Sequence, residues 1–481
     1  MSPVTNSSAQ AVFDIFDQLN QVPRPSHHEG KIADWLCGFA AKHGLEYDRD
    51  SNNCVVIRKP ASKGYEDREP LVILNHMDMV CVADAGVEFD PETSPVEAYV
   101  DNGWLKAKGT SLGGDNGIGL SMALAILSDD NIEHPALEVL TTTNEEDGMS
   151  GASGLSGDFV KGRKVLNLDS EDYDTITVGA AGAYLQIHKI PYTSVPAPAG
   201  LEFFRISIDG GLGGHSGVDI NKGRCNANKF LFTILDAIKR AMPVCLAEVS
   251  GGEANASIAM GATAVFGVAE ENAESMKSIA DSAICSVLEK YKSTDPALNA
   301  NICAEAPASS IICPESAEKL IDAIASVPSG VTDPEGCGSD TTPMTSNNIG
   351  MVEAKDGTIS VSTHTRSFSD KDMEALGLKI KNAFGADTTL IMSAPAWREE
   401  KDSSYISKVS DCFDKVLGFR PKKVEMHFVL EAGYYVRKYP GIEIACIGPR
   451  IVCPHSTKER VDIQTVENIW EVVKEILTCE L

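Results

Sequence analysis

The chain has 481 residues, 43% hydrophobic and 23% charged, the composition of a soluble globular protein large enough for two domains. Its net charge of −27 argues against nucleic acid or an anionic membrane as a partner, because both are bound by concentrated Lys and Arg. No apolar run approaches the roughly 20 residues of a membrane span, and residues 1–10 lack the basic and apolar regions of a secretory signal.

Thirteen cysteines lie scattered along the chain, from Cys37 to Cys479, and no two of them form a C-x-x-C pair. An odd number without a repeating spacing predicts neither a disulfide framework nor a zinc finger. We therefore expect a reducing compartment and a cytoplasmic location.

The first part of the chain alternates helical periodicity with short apolar runs. Helices are predicted at 11–19, 31–43 and 118–127, and buried strands at 54–58, 71–74, 136–142 and 164–168. This alternation predicts an α/β domain with a mainly parallel sheet and helices on both faces.

The pattern changes between residues 185 and 390, where we predict an inserted α+β domain. Half-exposed strands are expected at 203–208, 257–268 and 358–365, and amphipathic helices at 222–242, 273–291 and 317–324, with loops at 191–200 and 394–397. Buried strands at 424–428 and 442–447 then return to the first domain. A closing helix carries one apolar face, made of Val466, Ile469, Trp470, Val473, Ile476 and Leu477. The predicted domains are therefore 1–184 with 391–481, and 185–390.

His76 ends a predicted buried strand, and Asp78 follows two residues later. On an extended backbone these two side chains lie on the same side. A ligating histidine needs a carboxylate or carbonyl on its second ring nitrogen to fix the tautomer, and Asp78 suits that role. The alternative is a structural histidine beside a surface acid.

Asp115 stands in the glycine-rich segment 113–119, at a predicted junction between a loop and a helix. Such loops often bind phosphate, but the carboxylate in the middle would repel an anion. The pattern favours a metal ligand held by tight glycine geometry. The alternative is an ordinary helix-capping loop.

Glu145 and Glu146 follow another predicted buried strand. Adjacent side chains on an extended segment point in opposite directions, so the two carboxylates can take different roles. One can bind a metal while the other acts as a base with a raised pKa. An acidic surface turn is the alternative.

Two further residues of the metal-ligand type occupy similar positions. Asp169 ends an apolar strand, and His455 lies in a loop after the strand at 442–447. Two imidazoles and three carboxylates suit two zinc-like ions with one bridging carboxylate, although ligands without thiolate also permit manganese or cobalt. The predicted ligands are His76, Asp115, Glu146, Asp169 and His455.

Seven segments along nearly the whole chain are similar to those of one enzyme family. They are VPRPSHHE at 22–29, NHMDMV at 75–80, GGDNGIG at 113–119, GGHSG at 213–217, NAN at 226–228, TSNNIG at 345–350 and CPHS at 453–456. In these segments the chain resembles the M20 metallopeptidases, most closely their aminoacyl-histidine dipeptidase branch (peptidase D, the β-alanyl-histidine dipeptidases).

The resemblance implies how the ligands divide between two metal ions. His76 and Asp169 would complete one site, Glu146 and His455 the other, and Asp115 would bridge them.

The resemblance also implies roles for four residues around the metals. Glu145 would be the general base, and Asp78 would orient His76. His215 resembles the family histidine that stabilises the tetrahedral oxyanion, in some relatives from the neighbouring subunit. Arg366 resembles the arginine that receives the terminal carboxylate of the substrate, a bidentate task for which lysine is a poor substitute.

The segment at 427–433 departs from the family pattern. Relatives of this branch usually carry His-Ala-Gly-Leu-Glu-Cys-Gly, whereas this chain has bulkier Phe428 and Val429, and Ala432 in place of cysteine. His427 and Glu431 are retained, and we expect both to bind substrate. The bulkier side chains are expected to reshape the pocket.

The prediction is a cytoplasmic di-metal peptidase, most simply di-zinc, that cleaves dipeptides, with Xaa-His and β-alanyl-histidine dipeptides taken from the resemblance. On the same ground, the inserted domain is expected to act as a lid and to form a homodimer. The nearest alternatives keep the site and change the substrate to N-acyl amino acids or tripeptides. A catalytically silent binding protein would usually have lost ligands, and a metal-dependent phosphatase would need Lys or Arg beside the motifs.

Overall fold

The computed structural model describes residues 2–332, 342–399 and 403–481. The described helices are α1 (Gln10–Leu19), α2 (Gly30–Lys42), α3 (Gly114–Ser128), α4 (Ser150–Gly154), α5 (Ala227–Lys239), α6 (Ala273–Tyr291), α7 (Pro314–Ser326), α8 (Asp370–Phe384), α9 (Ser404–Leu417), α10 (Ala432–Lys438) and α11 (Ile463–Thr478). Among them, no helix combines the length and the apolar character that crossing a bilayer requires.

The strands are short in the first and last parts of the chain and longer in the middle. They are β1 (Glu46–Arg49), β2 (Val55–Lys59), β3 (Leu71–His76), β4 (Ala98–Asp101), β5 (Trp104–Ala107), β6 (Leu137–Thr142), β7 (Lys164–Asn167), β8 (Thr175–Ala180), β9 (Gly182–Pro191), β10 (Ser194–Pro196), β11 (Leu201–Asp209), β12 (Cys245–Gly251), β13 (Ala262–Ala269), β14 (Asn299–Glu305), β15 (Ser310–Ile312), β16 (Gly330–Val331), β17 (Thr345–Lys355), β18 (Thr358–Ser367), β19 (Asp387–Ala394), β20 (Trp397–Arg398), β21 (Lys422–Met426), β22 (Glu443–Cys446), β23 (Ile451–Val452) and β24 (Arg460–Asp462).

The first compact unit is assembled from three chain segments, up to residue 179, from 398 to 425 and from 431 to 481. Its main sheet runs in the order β1-β2-β6-β3-β7-β22-β8. Strands β6, β3, β7 and β22 are parallel to one another, and the strands flanking them are antiparallel. The α/β class predicted from the sequence is confirmed, with antiparallel edges added to the parallel centre.

The core of this unit lies between the sheet and its helices. Helix α3 is buried on nearly all sides, as expected for a helix whose residues are apolar all round. Helix α11 buries the six predicted apolar residues, which confirms the predicted face. Because the central strands are covered, their sequences read as continuous apolar runs.

The second unit comprises residues 180–397, as far as they are described, together with 426–430. Its large sheet is antiparallel, in the order β14-β11-β13-β12-β17-β18-β9-β19. Apolar residues of α5, α6, α7 and α8 form its core with the sheet strands. This is the α+β pattern that was predicted for the inserted domain.

The two units divide at different residues from the predicted domains. The sequence placed the boundaries at 184/185 and 390/391, whereas the compact units change over at 179/180 and 397/398. The short segment 426–430, predicted in the first domain, belongs to the second unit. Residues 333–341 and 400–402, which the predicted domains include, lie outside the described residues.

Two predicted elements of the second unit are shorter in the structure. The helix predicted at 222–242 is α5, which begins only at Ala227. Before it, Gly223 adopts a φ of 68° that ends a short 3-10 turn. The strand predicted at 257–268 begins at Ala262, because the preceding segment bonds instead to the loop of His215: the Ser216 N–H donates to the Ala256 carbonyl at 2.8 Å.

Two other predictions were wrong in detail. The loop predicted at 191–200 contains strand β10, which pairs with β15. The buried strand predicted at 424–428 is β21, which ends at Met426 and is only partly buried. Apolar character alone did not distinguish this outer strand from a central one, because the residues around it alternate only weakly.

Candidate active site

The predicted metal ligands follow the carboxyl ends of the parallel strands of the first unit. His76 is the last residue of β3, Glu146 follows β6, and Asp169 follows β7. Parallel strands end at one edge of a sheet, where open α/β sheets bind their ligands. This topology brings side chains together that are far apart in sequence.

His76 and two aspartates form one group. The His76 Nε2 atom lies 3.1 Å from Asp115 Oδ1 and 3.5 Å from Asp169 Oδ1. Ligands held at zinc distances of about 2.0–2.1 Å in a tetrahedron are about 3.3 Å apart. Both distances from His76 are close to the spacing of neighbouring ligands on one ion.

His455 and Glu146 form a second group around the other oxygen of Asp115. The His455 Nε2 atom lies 2.9 Å from Glu146 Oε2 and 3.3 Å from Asp115 Oδ2. Asp115 thus presents one carboxylate oxygen to each group. Ligand atoms of His76, Asp115 and Glu146 all lie within 4.8 Å of one another.

The second ring nitrogen of His76 is fixed by Asp78. His76 Nδ1 lies 3.1 Å from the Asp78 carbonyl oxygen and 3.5 Å from its carboxylate. Both partners accept hydrogen bonds, so Nδ1 carries the hydrogen and Nε2 is free to ligate. The Asp78 carboxylate also accepts the backbone N–H groups of Glu145 at 3.1 Å and of Glu146 at 3.2 Å. Asp78 therefore orients two parts of the site.

The carboxylates of this cluster create a local excess of negative charge, which favours a positive charge among them. Although burial opposes it, the carboxylates around His76 raise the pKa of that imidazole well above its ordinary value, Asp169 foremost. Hydrogen bonds to Asp115 and Glu146 raise the pKa of His455 to about 11. Against the effect of burial, hydrogen bonds from both imidazoles lower the pKa of Asp115. These shifts reflect the excess of negative charge in the cluster, which a bound cation would offset.

The residues fit two divalent ions. Glu146 Oε1 is buried and has no hydrogen-bond partner in the described part of the chain, and an orphaned carboxylate oxygen of this kind is costly without a cation. The nitrogen and oxygen donors match those of zinc, manganese or cobalt sites.

Glu145 stands next to the cluster. Burial, and after it the negative charges of Asp169, Glu431 and Glu146, raise its pKa well above the ordinary value, while His76 acts in the opposite direction. A carboxyl group with these surroundings is suited to exchanging a proton.

Three residues of the segment VPRPSHHE also support the site, although no role was predicted for them. The fully buried Arg24 donates to the carbonyls of Met77 and Asp78, each at 3.3 Å. Ser26 donates to the Asp78 carboxylate at 2.8 Å, and Glu29 accepts the Asn144 N–H at 2.8 Å. Their residue types do not single them out, and the one signal in the sequence is the resemblance of the whole segment to the M20 metallopeptidases.

The second unit holds Arg366, His427 and His215. Arg366 lies opposite Ser346 on paired strands β18 and β17, and Ser346 Oγ is 2.8 Å from His427 Nε2. The Arg366 side chain is 3% exposed, its Nη2 donates to Ser216 Oγ at 3.3 Å, and its Nε has no partner among the described residues.

Arg366 is a buried cation without a carboxylate beside it. It forms no ion pair with any carboxylate that the structure describes, and burial lowers its pKa to about 10. Buried charges are ordinarily paired, so this guanidinium is suited to receive an anionic group.

His215 is a neutral donor. Its Nδ1 accepts the N–H groups of Gly217 at 3.3 Å and Val218 at 3.2 Å. The hydrogen of the ring therefore sits on Nε2. Desolvation, and after it the positive charge of Arg366, lower the pKa of His215 to about 4, so the ring is neutral at physiological pH.

Sequence reasoning missed His364, which lies two residues before Arg366 on the same strand. Residues i and i+2 of a strand face the same side. His364 is 4% exposed, and neither ring nitrogen has a partner among the described residues. Only the pattern of alternate positions along β18 could have indicated it.

Glu431 lies in the first unit and His427 in the second, although only four residues separate them. The Glu431 carboxyl is bonded to the hydroxyls of Thr142 at 2.6 Å and Tyr435 at 3.1 Å. Burial foremost, then the charges of Asp169 and Asp78, raise its pKa to about 8. Its predicted role in substrate binding stays a prediction.

Comparison with known proteins gives one family and relatives that span nearly the whole chain. The family model described as peptidase family M20/M25/M40 matches residues 72–478. The cytosol non-specific dipeptidase of Escherichia coli K12 is 32% identical over 484 residues, covering 99% of both chains.

Solved structures agree with this result. The aminoacylhistidine dipeptidase of Vibrio alginolyticus superposes with a TM-score of 0.90 at 29% identity, covering 98% of this chain and 97% of that one. The aminopeptidase PepT of Bacillus cereus covers 98% and 99%, with a TM-score of 0.60 at 17% identity, and shares the fold.

Proposed function

We propose that this chain, which belongs to peptidase family M20/M25/M40, is a dipeptidase dependent on two divalent metal ions. Family membership makes it a peptide-bond hydrolase. The observation that carries the metal assignment is the position of Asp115, whose two carboxylate oxygens face two separate ligand groups. Zinc is the proposed metal.

His76 and Asp169 would hold one ion, and Glu146 and His455 the other, with Asp115 shared between them. When bound, such ions lower the pKa of a water molecule toward neutrality and polarise a peptide carbonyl. The positive charge also offsets the cost of burying these carboxylates and, after it, their mutual repulsion.

Glu145 is the proposed general base. Its carboxylate takes a proton from the attacking water and then delivers that proton to the nitrogen of the leaving amino acid, so the group ends the cycle in its starting state. Asp78 supports this role through the hydrogen bond that it accepts from the Glu145 backbone.

In the second unit, Arg366 is proposed to bind the terminal carboxylate of the substrate, and His215 to donate its Nε2–H to the oxyanion. Both proposals draw support from the side chains themselves: a buried guanidinium without a described counter-ion, and an imidazole whose tautomer is fixed. A site that demands a free carboxylate close to the scissile bond favours very short peptides.

Dipeptides are the proposed substrates, including Xaa-His and β-alanyl-histidine. Two of the relatives that span the chain are named as a non-specific dipeptidase and an aminoacylhistidine dipeptidase, which supports dipeptides in general and Xaa-His as one class among them. A cytoplasmic location is proposed from the relative that is named as cytosolic. The roles of the second unit as a lid and in dimerisation remain predictions from the family.

The proposal is tested with chelator-stripped protein, assayed with and without zinc on Ala-His, β-Ala-His, Ala-Leu, Ala-Ala-Ala and N-acetyl-leucine. Glu145→Gln is compared with Asp147→Asn, an exposed carboxylate in the same turn. Zinc should restore dipeptide cleavage. Glu145→Gln should bind two metal equivalents and lose about 10²–10⁴-fold in kcat, whereas Asp147→Asn should stay within a few-fold of wild type.

Each contrary result removes a different part of the proposal. Cleavage of N-acetyl-leucine or of the tripeptide in preference to dipeptides would contradict the dipeptide assignment. The proposal of a metal site would still stand. Dipeptide cleavage without preference for histidine would remove the Xaa-His class alone. A chain that binds no metal would overturn the whole proposal.

A further inference from the structure

Glu459 lies beneath the loop that carries Asp115. Its carboxylate accepts four consecutive backbone N–H groups, from Leu112 at 2.7 Å, Gly113 at 2.9 Å, Gly114 at 2.8 Å and Asp115 at 3.3 Å. The Glu459 residue is 4% exposed. Four main-chain donors converging on one buried anion form an anion-binding concavity within the fold itself.

The other side of the same loop is held by Arg24. Its Nη2 donates to the Gly113 carbonyl at 2.7 Å. A Cβ at Gly113 would lie 2.5 Å from that nitrogen, and one at Gly114 would lie 2.5 Å from Val461 Cγ2. The loop is therefore enclosed by side chains and can shift little without breaking a hydrogen bond.

Glu459 also ties the loop to the second ligand group. It lies four residues after His455 and directly before β24, which pairs with β5 and β23. One residue thus joins the segment of His455 to the segment of Asp115. These segments are 340 residues apart in sequence, so the relative position of the two ligands depends on contacts of this kind.

Asp115 is the residue most sensitive to such positioning, since each of its oxygens faces a different ligand group. A shift of its backbone would alter both groups together. We propose that Glu459 is a positioning residue that fixes Asp115 as the shared ligand of the two metals, an inference that rests on the metal site of the proposed function.

A merely structural role for Glu459 would predict loss of stability without loss of metal affinity. The chain offers a matched control in Glu138, another buried glutamate of the first unit. Its carboxylate accepts the backbone N–H groups of Lys161 at 2.7 Å and Gly162 at 2.8 Å, and no predicted metal ligand belongs to that loop. The Glu138 carboxylate also pairs with Arg58 at 3.4 Å. Glu138→Gln therefore removes a buried acceptor of backbone N–H groups away from the metal centre, together with one ion pair.

The test compares wild type, Glu459→Gln and Glu138→Gln. Glutamine keeps the shape but turns an amide N–H₂ toward N–H groups that need an acceptor. Zinc affinity is measured by competition with a chromophoric chelator, and coordination geometry by the visible spectrum of the cobalt form. Thermal unfolding of each metal-free protein is recorded alongside. Glu459→Gln should weaken metal binding about 10- to 100-fold and change the cobalt spectrum, while Glu138→Gln changes neither.

Wild-type affinity and an unchanged spectrum in Glu459→Gln would overturn the inference, as would an equal effect of both substitutions. If Glu459→Gln does not fold, Glu459→Asp gives the same comparison, since it keeps the charge but withdraws the acceptors by one methylene. Affinity equal to wild type in Glu459→Asp would then overturn it. A wild type that binds no metal would overturn the proposed function instead, so the two failures are distinguishable.

Discussion

The tautomer of His215 is set by backbone N–H groups, and that arrangement has a consequence for catalysis. His215→Ala should lower kcat on a dipeptide by about 10²–10³-fold with little change in KM, because an oxyanion donor acts in the transition state. His215→Gln retains a side-chain N–H donor and should recover part of the loss. Steady-state kinetics of both variants check this, and a loss seen in KM alone would contradict the oxyanion role.

Arg366 gives a second prediction at the scale of a residue. If it binds the terminal carboxylate, wild type should cleave Ala-His far better than Ala-His amide. Arg366→Lys keeps the charge and loses the bidentate geometry, so kcat/KM on Ala-His should fall about 10- to 100-fold, the equivalent of a charged hydrogen bond. The ratio between the two substrates is the measurement. An unchanged ratio in Arg366→Lys would exclude carboxylate binding by this residue.

Residues that stand in short sequence motifs could be predicted as site residues, whereas residues defined by long-range contacts could not. His76, Asp115 and Glu146 stand in short motifs beside strands or helices, so their chemical type and position were readable. Glu459 and His364 carry no such signal. Their importance arises from contacts across hundreds of residues or from a shared face of a sheet, which a linear pattern does not encode.

Asn226 shows how elements of the second unit are joined. Its side chain caps α5 by accepting the Lys229 N–H at 3.0 Å, and its amide donates to Asn348 Oδ1 at 3.0 Å and to the Ile349 carbonyl at 2.8 Å. The segments NAN and TSNNIG, recognised separately in the sequence, are therefore one hydrogen-bonded connection between a helix and strand β17.

Asn226→Ala should therefore cost more than an ordinary helix cap. A cap alone contributes about 1 kcal/mol to the free energy of unfolding. Leaving the buried hydrogen-bonding groups of β17 without a partner costs about 1–3 kcal/mol more. Ser369→Ala, which removes the cap of α8 through its bond to Asp372, is the matched control. Urea unfolding measures both, and equal losses would mean that the contacts with β17 contribute nothing.

Elements with strong periodicity were predicted well, and irregular segments were not. Helix α6 was predicted at the residues that it occupies, because its apolar face repeats over five turns. The helix start at Ala227 was missed, although Gly223 marks an interruption and Asn226 is a typical N-cap residue. Strand β10 is three residues long, too short for alternation to be visible.

At the scale of the whole molecule, the second unit keeps several histidines neutral. His188 is fully buried, its two ring nitrogens lie 3.0 Å from the hydroxyls of Thr388 and Thr363, and its ring stacks on Phe384. Burial lowers its pKa to about 4 from an ordinary value of 6.5. The folded unit thus stays neutral where the unfolded chain would bind a proton.

His188 makes the folded state less stable as the pH falls. Above pH 6.5 its ring is unprotonated in both the folded and the unfolded chain, so it does not change the free energy of unfolding. Between pH 6.5 and 4 the unfolded chain takes up the proton, so the free energy of unfolding falls, by about 3 kcal/mol for this histidine. Denaturant unfolding from pH 7 to 4 should show a shallower decline in His188→Gln than in wild type. The same change at exposed His43 serves as the control, and parallel pH curves would contradict the prediction.

The division into two units was predictable as an insertion, but its detail was not. A change from buried to half-exposed strands marks the middle of the chain, which indicates a second core. The transfer of residues 426–430 to the second unit depends on tertiary contacts such as the one between His427 and Ser346. No change in amino-acid composition at residues 426–430 indicates that they belong to the second unit.

The first unit is closed by the last segment of the chain, which supplies both His455 and Glu459. During translation the second unit has all its segments once residue 430 has emerged, whereas the first still lacks three strands, two helices, the predicted ligand His455 and Glu459, which holds the Asp115 loop. Domains usually fold in the order of their synthesis, but here we expect the first unit to be completed after the second. A chain truncated before residue 455 would lack one ligand of the proposed metal site and the carboxylate that holds the Asp115 loop.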